Sequence, residues 1–502
     1  MKRFFDIFDS LSNQQKKLLE GIHVEHLTMS HQQVMPATCF FAVAGLKHDG
    51  HDFIPEAIEA GAQVVVMSRP CVLPEHVLGI VVEDVRKIYA RCASRFFGDP
   101  SQKLKLVGVT GTNGKTSITY LLESILREAG HRPGVIGTVS YRYAGKTFEA
   151  SHTTPDAFVL QKHLADMLAH NVDVCVMEVS SHALTQSRLE GCDFDVAVFT
   201  NLTQEHLDYH HHMHDYFEAK NILFTHLLSS SSKKTFAVVN DDDEYGKKIS
   251  PAKTVECFRY GKNQTADLSL VSCEKSESGS KLWFSFLGKS FSFTVPLVGS
   301  FNAYNVAAAF LAAHALGVSS KNILHSLSHV HPIPGRLERV CADSAYAVYV
   351  DYAHTPDALE NILSTLRDIT EGRLLLVFGC GGDRDKQKRP VMGEVAAKYA
   401  NLVVLTSDNP RTENPLSIME QVFPGLRKKM KAFNGSCGFI QEVDRKKAIE
   451  TAVMHMTEND ILVVAGKGHE QYQIIGNTKH HFDDREEVME ALKKKRKNRL
   501  VA

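Results

Sequence analysis

The sequence predicts an α/β protein of three domains: a smaller mixed α/β unit over residues 1–100, a central phosphate-loop domain on a parallel sheet over 101–335, and a Rossmann-like, doubly wound unit over 336–502. Three observations carry this reading. A chain of 502 residues is too long for one module when domains usually hold about 100–200 residues. From Leu104 onward a buried strand, a Gly-rich or polar turn and a helix recur, the order that builds a parallel sheet. After the segment His331–Glu338, with its two prolines and a glycine, the same alternation resumes and marks a second doubly wound unit.

The elements follow in order. Apolar runs at Cys39–Ala44, Gln63–Met67 and Gly79–Val82 read as strands, and Gly98-Asp99-Pro100 is a turn signal that closes the first domain. Lys105–Thr110, Val172–Glu178 and Phe194–Phe199 read as buried strands, each followed by polar residues. Between Lys233 and Gly299 the text alternates with a period of two, which predicts an antiparallel insertion or edge. The Ala-rich run Asn305–Leu316 predicts a helix, and Tyr346–Val350, Arg373–Gly379, Leu402–Asp408 and Ile461–Gly466 read as strands of the third unit.

Composition narrows the function. Lys and Arg total 57 against 58 for Asp and Glu, so no global field recruits nucleic acid or an anionic membrane. At 43% hydrophobic and 23% charged residues the chain holds enough apolar mass for several cores. No apolar run approaches the roughly 20 residues of a membrane span. Asp6 and Asp9 interrupt any signal-peptide core, and ten cysteines lack a C-x-x-C pair, which predicts a cytoplasmic protein with reduced thiols, no disulfides and no structural zinc. The basic tail Lys493–Arg499 reads as the frayed, solvated end of the last helix. The histidines at 206, 210, 211, 212 and 214 lack the companions of a zinc site, so one or two of them at most are expected to matter.

Chemistry concentrates first in Gly111-Thr112-Asn113-Gly114-Lys115-Thr116, placed between a strand and a helix. Glycines let backbone N–H groups wrap a polyphosphate, the helix N-terminus favours its charge, Lys115 can reach the β- and γ-oxygens, and Thr116 can hold Mg2+. Val109 stands at the first glycine position of the full motif, and a tight strand–helix turn with an exposed lysine is the plain alternative. Glu178 closes the strand Val172–Glu178 and is a candidate magnesium ligand, or else a helix cap. Thr200-Asn201 end the next strand, so His206 and Lys220 are expected in the same crevice.

Read together, TGTNGKTS (Thr110–Ser117), MEVSSHAL (Met177–Leu184) and TNLTQEHLDYHHHMHDYFEAK (Thr200–Lys220) resemble the Mur ligase family, ATP-dependent amide-forming enzymes of bacterial cell-wall precursor synthesis. The likeness extends to GSFNAYNVAAA (Gly299–Ala309), PGRLE (Pro334–Glu338), DYAHTPDAL (Asp351–Leu359), GCGGDRDKQKRP (Gly379–Pro390), SDNPRTENP (Ser407–Pro415) and AGKGHE (Ala465–Glu470), nearly the whole chain. GGDRDKQKRP, DNPR and GKGHE together are similar to the branch that adds meso-2,6-diaminopimelate to UDP-N-acetylmuramoyl-L-alanyl-D-glutamate; lysine-adding relatives differ at DNPR.

The resemblance implies the following roles. Gly111, Thr112, Asn113, Gly114, Lys115, Thr116, Ser117, Asn302, Asn305, Arg336, Asp351 and His354 bind ATP. Lys115, Glu178, His206 and Lys220 are catalytic, with Thr116 and Glu178 on one Mg2+ and His206 and Lys220 on a second. Lys220 serves as a carbamate formed with CO2, since an ammonium has no lone pair for a cation. Ser30, Leu46, Lys47, His48, His152, Thr153, Thr154, Ser180, Gln186 and Arg188 contact the nucleotide-sugar substrate; Met29-Ser30-His31 stands where the family has D-S-R, and His152 where an asparagine sometimes sits. Arg384, Asp408, Asn409, Pro410, Arg411, Gly466 and Glu470 receive the diamino acid, and Arg411 offers a two-pronged donor for the carboxylate that lysine lacks. The terminal D-glutamate carboxylate attacks the ATP γ-phosphate to give an acyl phosphate, which the amine then opens to the amide in a monomeric enzyme.

Other classes fit less well. Addition of lysine is opposed by DNPR, and glutamate addition, as in folylpolyglutamate synthetases, by the first domain and the HLDYH stretch. A nucleic-acid ATPase predicts a basic groove with interleaved aromatics, yet the net charge is -1 and aromatics are 8%. A non-catalytic sugar-nucleotide sensor would not need Lys115, Glu178, His206 and Lys220 together.

Overall fold

The computed structural model describes residues 2–8, 21–45, 48–340, 346–431, 435 and 437–501. Leu46 and Lys47 lie outside them. Near the N-terminus β1 (His26–Thr28), β2 (Thr38–Ala42), β3 (Ala62–Met67) and β4 (Leu78–Val81) form an all-parallel sheet in that order. Helix α1 (Val85–Phe96), capped by the Asp84 carboxylate accepting from Lys87 N, packs Tyr89, Ala90 and Ala93 into its core.

The second sheet has eleven strands. In chain order they are β5 (Lys105–Thr110), β6 (Pro133–Ile136), β7 (Tyr141–Tyr143), β8 (Lys146–Phe148), β9 (Val174–Glu178), β10 (Val196–Phe199), β11 (Phe236–Asn240), β12 (Glu256–Gly261), β13 (Leu268–Ser276), β14 (Gly279–Phe286) and β15 (Lys289–Val295). Their order is β8-β7-β6-β9-β5-β10-β11-β12-β13-β14-β15. β6, β9, β5, β10, β11, β12 and β13 run parallel, whereas β13–β15 form an antiparallel meander that lengthens the same sheet. The apolar runs are continuous because both faces are covered. Val107, Val109, Val176 and Val198 face α2 (Lys115–Glu128) and α3 (Ser300–Ala315), while Leu106, Met177 and Phe199 face a second core. Helix α3 begins at Ser300, five residues before the expected start at Asn305, because the polar FNAYN stretch still carries buried Asn302 and Asn305 on the helix face.

The third sheet contains β16 (Glu338–Val340), β17 (Ala347–Asp351), β18 (Leu374–Phe378), β19 (Leu402–Leu405), β20 (Gly438–Gln441) and β21 (Ile461–Ala465), in the order β16-β17-β21-β18-β19-β20. Only β16 pairs antiparallel. Helix α4 (Pro356–Ile369) starts with the Thr355 hydroxyl accepting from Ala358 N and with Pro356 at its first position.

The last helix, α5 (Asp484–Val501), corrects the reading of the basic tail. It stays helical through Lys493–Arg499, and Lys495 is buried, donating to the carbonyls of Val453, Met454 and Met456. A cation on three helix-terminal carbonyls completes groups that would otherwise lack donors, a tertiary use of charge that composition does not reveal. At the other end of α5, Asp484 and Arg445 form a fully buried two-pronged pair, with both bonds at 2.7 Å. Asp484→Ala strands the guanidinium, so chemical denaturation is expected to show a loss of about 3–5 kcal/mol in the transition of this domain. Among the described residues no helix is long and apolar enough to cross a membrane.

Candidate active site at the domain junction

Sheet register places the chemistry. Glu178 at the end of β9 pairs with Val109 of β5, and Phe199 of β10 pairs with Thr110, so the residues following β5, β9 and β10 emerge at one sheet edge. Gly111 has φ 145°, and a Cβ there would stand 1.8 Å from Thr200 Oγ1; Gly114, at φ 90°, would press one 2.4 Å from Asn305 Oδ1. Only glycine fits either place. Asn113 N donates to Asn201 Oδ1 at 2.9 Å and Thr200 Oγ1 donates to Asn113 O, which fixes the loop. No side chain caps α2, so its first N–H groups are left for an anion.

Lys115 lies folded back, its Nζ donating to Gly111 O at 2.9 Å and Thr112 O at 2.7 Å. Glu178 Oε1 accepts from Thr116 Oγ1 at 3.0 Å and from Thr138 N, and Oε2 accepts from Thr138 Oγ1 at 2.9 Å. Oε2 keeps room for a further partner. Lys220 is 1% exposed, donates to Gly111 O at 2.9 Å and lies over the Tyr216 ring. Burial, reinforced by the Lys115 ammonium, holds the Lys220 amine well below its usual range. His206 adopts a left-handed backbone with φ 57°, an uncommon state for a non-glycine residue and one concentrated at functional sites.

Glu205 was not read from the sequence. Its carboxylate lies 3.9 Å from His206 and 3.7 Å from His354. Burial opposes its ionisation, but His206, His354, Lys115 and Lys220 outweigh that and hold it below the usual carboxylate range. The residues fit a hard cation: a hydroxyl and a carboxylate at Thr116 and Glu178, and an imidazole at His206 kept neutral because burial lowers it to about 4. Of the other histidines, His210 bonds Ser181 Oγ at 2.9 Å. Among the described residues no three or more His, Cys, Asp or Glu side chains gather as a ready-made ligand set.

The third domain closes the crevice. Arg336 Nη2 donates to Thr116 Oγ1 at 3.0 Å, and Asp351 accepts from Leu337 N and Ala353 N, shaping the turn that carries Arg336. Asp357, at the start of α4, accepts from Asn113 Nδ2 at 2.7 Å and Thr203 Oγ1 at 3.2 Å. Asn302 and Asn305 are joined at 3.0 Å. A cavity of about 370 Å³ lies between the phosphate loop, Asn305, Arg336, Asp351 and Asp357, with Ser117 on its wall.

Three family models match the chain: "Mur ligase family, catalytic domain" over residues 23–97, "Mur ligase middle domain" over 109–313 and "Mur ligase, glutamate ligase domain" over 335–468. The chain belongs to the Mur ligase family. UDP-N-acetylmuramoyl-L-alanyl-D-glutamate--2,6-diaminopimelate ligase of Geobacter metallireducens is 43% identical over 486 residues, 94% of this chain and 95% of its own length. The enzyme of that name from Aquifex aeolicus is 43% identical over 469 residues, covering 93% and 94%. A solved structure of a ligase of that name superposes with a TM-score of 0.70 at 32% identity over 99% of both chains. MurF ligase from Thermotoga maritima in complex with ADP shares the fold at a TM-score of 0.61 and 19% identity, over 95% of this chain and 99% of that one.

In this Mur ligase the acceptor candidates gather around Gly381. A Cβ there would lie 3.1 Å from Arg411 Nη1, 3.8 Å from Arg384 Cγ and 3.9 Å from Asn409 O. Arg411 is left-handed, φ 51°, pinned by its N–H to Ile474 O, and its Nη1 donates to Gly382 O at 2.8 Å. Asn409 donates to Glu470 at 2.9 Å and accepts from Lys467 Nζ at 2.8 Å. Buried Lys467 also lies 3.5 Å from Asp408, whose Oδ1 has no hydrogen-bond partner, and Gly466 packs beside Asp408. Pro410 carries its carbonyl against Gly382, which leaves no room for a side chain there. Lys467 was missed because its neighbours Gly466 and Glu470 carried the motif; its tie to Asn409 spans 58 residues.

The sugar-nucleotide candidates divide between two places. Thr153 Oγ1 meets Thr138 Oγ1 at 3.0 Å, Thr154 Oγ1 donates to Glu178 O at 2.8 Å and accepts from Ser180 N, and Arg188 donates to Thr154 O and Gln186 Oε1. Thr153 and Thr154 thereby reach Glu178, whereas His152, Gln186 and Arg188 line a cavity shared with Met29 and Tyr89 of the first domain. Ser30 and His48 belong to the first sheet's edge, where Phe53 stacks on His31 at 4.2 Å and meets His48 edge-on.

Two imidazoles, His469 half-buried and His206 with its side chain 43% exposed, set a pH response. Burial, with Arg336 and Arg485 beside it, lowers His469 to about 3, and His206 is lowered to about 4. Unfolding returns both toward about 6.5, so the unfolded chain binds more protons below that pH and stability falls on acidification from about 6.5 to 4. Denaturant midpoints across this window are expected to fall, with a shallower slope in His469→Gln.

Proposed function

We propose that this Mur ligase joins meso-2,6-diaminopimelate to UDP-N-acetylmuramoyl-L-alanyl-D-glutamate with ATP hydrolysed to ADP and phosphate, in the bacterial cytoplasm. The observation that carries this reading is the phosphate loop with Glu178 and Lys220, joined to the second domain's Thr154 through Glu178 O and to the third domain through Arg336 and Asp357; the Arg384–Asn409–Arg411 cluster lies in that third domain. Relatives above 40% identity over nearly the whole chain bear the corresponding name.

In this reading Lys115 leaves Gly111 O and Thr112 O for the β- and γ-phosphate oxygens, and the uncapped start of α2 receives the phosphate charge. Thr116 with Glu178, and His206 with Lys220 as its carbamate, would hold two Mg2+ ions, which when bound supply charge neutralisation on the triphosphate. Thr154 and Arg188 orient the dipeptide so that its terminal carboxylate faces the γ-phosphate. Arg336 and Asp357 bring the third domain onto the loop, which excludes water from the acyl phosphate. Arg411 and Arg384 take the distal carboxylate of the diamino acid, and Glu470 and Asn409 take its distal amine.

Substrate enriched in heavy oxygen at the D-glutamyl terminal carboxylate tests the acyl-phosphate route. One labelled oxygen is expected in the released phosphate; unlabelled phosphate would exclude it.

A further inference from the structure

We infer that Lys388 is a catalytic residue of the amide-forming step, its ammonium meeting the negative charge that gathers on oxygen when the acceptor amine displaces phosphate from the acyl phosphate; this deepens the reading above and rests on it. Lys388 belongs to the stretch Gly379–Pro390 and is the first residue of the helix Lys388–Tyr399.

Three cations follow Arg384 in this stretch, and the fold uses them differently. Arg389 is fully buried, binds Glu413 through two bonds of 2.9 Å and donates to Gly381 O at 3.1 Å, while Lys386 lies 3.7 Å from the same Glu413. Lys388 is half-buried and donates to His354 O at 2.8 Å, and among the described residues no carboxylate is in ion-pair contact with it. The carboxylates of this region answer to other cations. Against burial, Glu205 is held ionised by His206, His354, Lys115 and Lys220, and Asp408 by Lys467 and Arg445.

An ammonium without a counter-ion therefore stands at the seam of two sites. On one side, His354 Nε2 lies 3.7 Å from Glu205, within the field of Lys115. On the other, Arg389 ties the start of the same helix to Gly381, the glycine that Arg384 and Arg411 surround. The charge acts on both sides: burial and then Lys388 lower the His354 imidazole, and Lys388 opposes the rise that burial imposes on the Cys380 thiol next to Gly381. An amine held near Gly381 and an acyl phosphate held near the phosphate loop meet across this seam. The amine nitrogen bonds to the acyl carbon and the carbonyl π pair moves to oxygen; collapse re-forms the carbonyl, breaks the bond from acyl carbon to the phosphoryl oxygen and sends that electron pair out on phosphate, which takes the proton the amine loses. Charge gathers on the carbonyl oxygen and then on phosphate, and a cation already in place stabilises both without exchanging a proton itself.

The test separates the two half-reactions on the full-length protein with ATP, Mg2+ and UDP-N-acetylmuramoyl-L-alanyl-D-glutamate. Acyl phosphate formed without acceptor is trapped by borohydride as the alcohol, and amide formation is followed after addition of meso-diaminopimelate. Lys388→Ala is expected to form acyl phosphate at the wild-type level, which also reports an intact fold, and to form amide about 10²–10³-fold more slowly with little change in KM for the acceptor. Lys388→Met, which keeps the aliphatic stem, is expected to match it, and Lys388→Arg to recover part of the rate. Loss of both half-reactions together in the alanine and methionine variants, a raised acceptor KM with kcat retained, or an unchanged amide rate would overturn the assignment. A wild-type protein that yields no trapped acyl phosphate would instead overturn the reaction proposed above, and this inference with it.

Discussion

Lys220→Ala is expected to lower ligase turnover by at least about 10²–10³-fold, the scale of removing one preorganised charge partner from a phosphoryl-transfer site. The argument starts from burial. A lysine 1% exposed, facing Lys115 and donating to Gly111 O, is a poor place for an ammonium. Burial, reinforced by Lys115, pushes its pKa well below the usual lysine range and so raises the share of neutral amine, the form that attacks CO2. In the proposed reading a carbamate would exchange a cation beside Lys115 for an anion, relieve the repulsion and supply oxygen ligands. Acidification through the lowered pKa protonates the amine and drives CO2 off, so activity falls on the acid side and recovers with bicarbonate. Lys220→Arg keeps a charge but cannot be carbamylated, and is expected to be as inactive as the alanine variant. Full activity of either variant, in protein whose ADP binding is intact, removes Lys220 from the mechanism.

Arg411→Ala is expected to reduce kcat/KM for meso-diaminopimelate by roughly 2–5 kcal/mol, at least about 30-fold. The strained backbone at Arg411 is held by Ile474 O and aims its guanidinium across Gly381 toward Arg384. Arg411→Lys preserves the charge without the planar fork and is expected to recover little. An unchanged specificity constant in Arg411→Ala removes it from the acceptor site.

The fold class was legible because both doubly wound sheets announce themselves locally: apolar runs such as Val174–Glu178 and Ile461–Ala465 are covered on both faces and need no alternation. The placement of Gly111–Thr116 between a strand and a helix was legible for the same reason, since its glycines, lysine and threonine are contiguous. What was hidden depends on distance along the chain. Asp357 bonds Asn113 across 244 residues, and in sequence it reads as an ordinary first-turn carboxylate of a helix. Glu205 gains its character from the adjacent His206 and, beyond what the local sequence shows, from His354, Lys115 and Lys220. Lys495 was misread because a run of like charges suggests solvent, while the structure uses one member to close the end of a neighbouring helix.

The most direct measurement of the central claim is ADP release with UDP-N-acetylmuramoyl-L-alanyl-D-glutamate, ATP and Mg2+, with meso-diaminopimelate and L-lysine compared as acceptors and the product weighed by mass spectrometry. The account predicts ADP release dependent on meso-diaminopimelate, with a product heavier by that amino acid less one water. Turnover with L-lysine alone would contradict the role given to Arg411, and no turnover with either acceptor would contradict the proposed reaction.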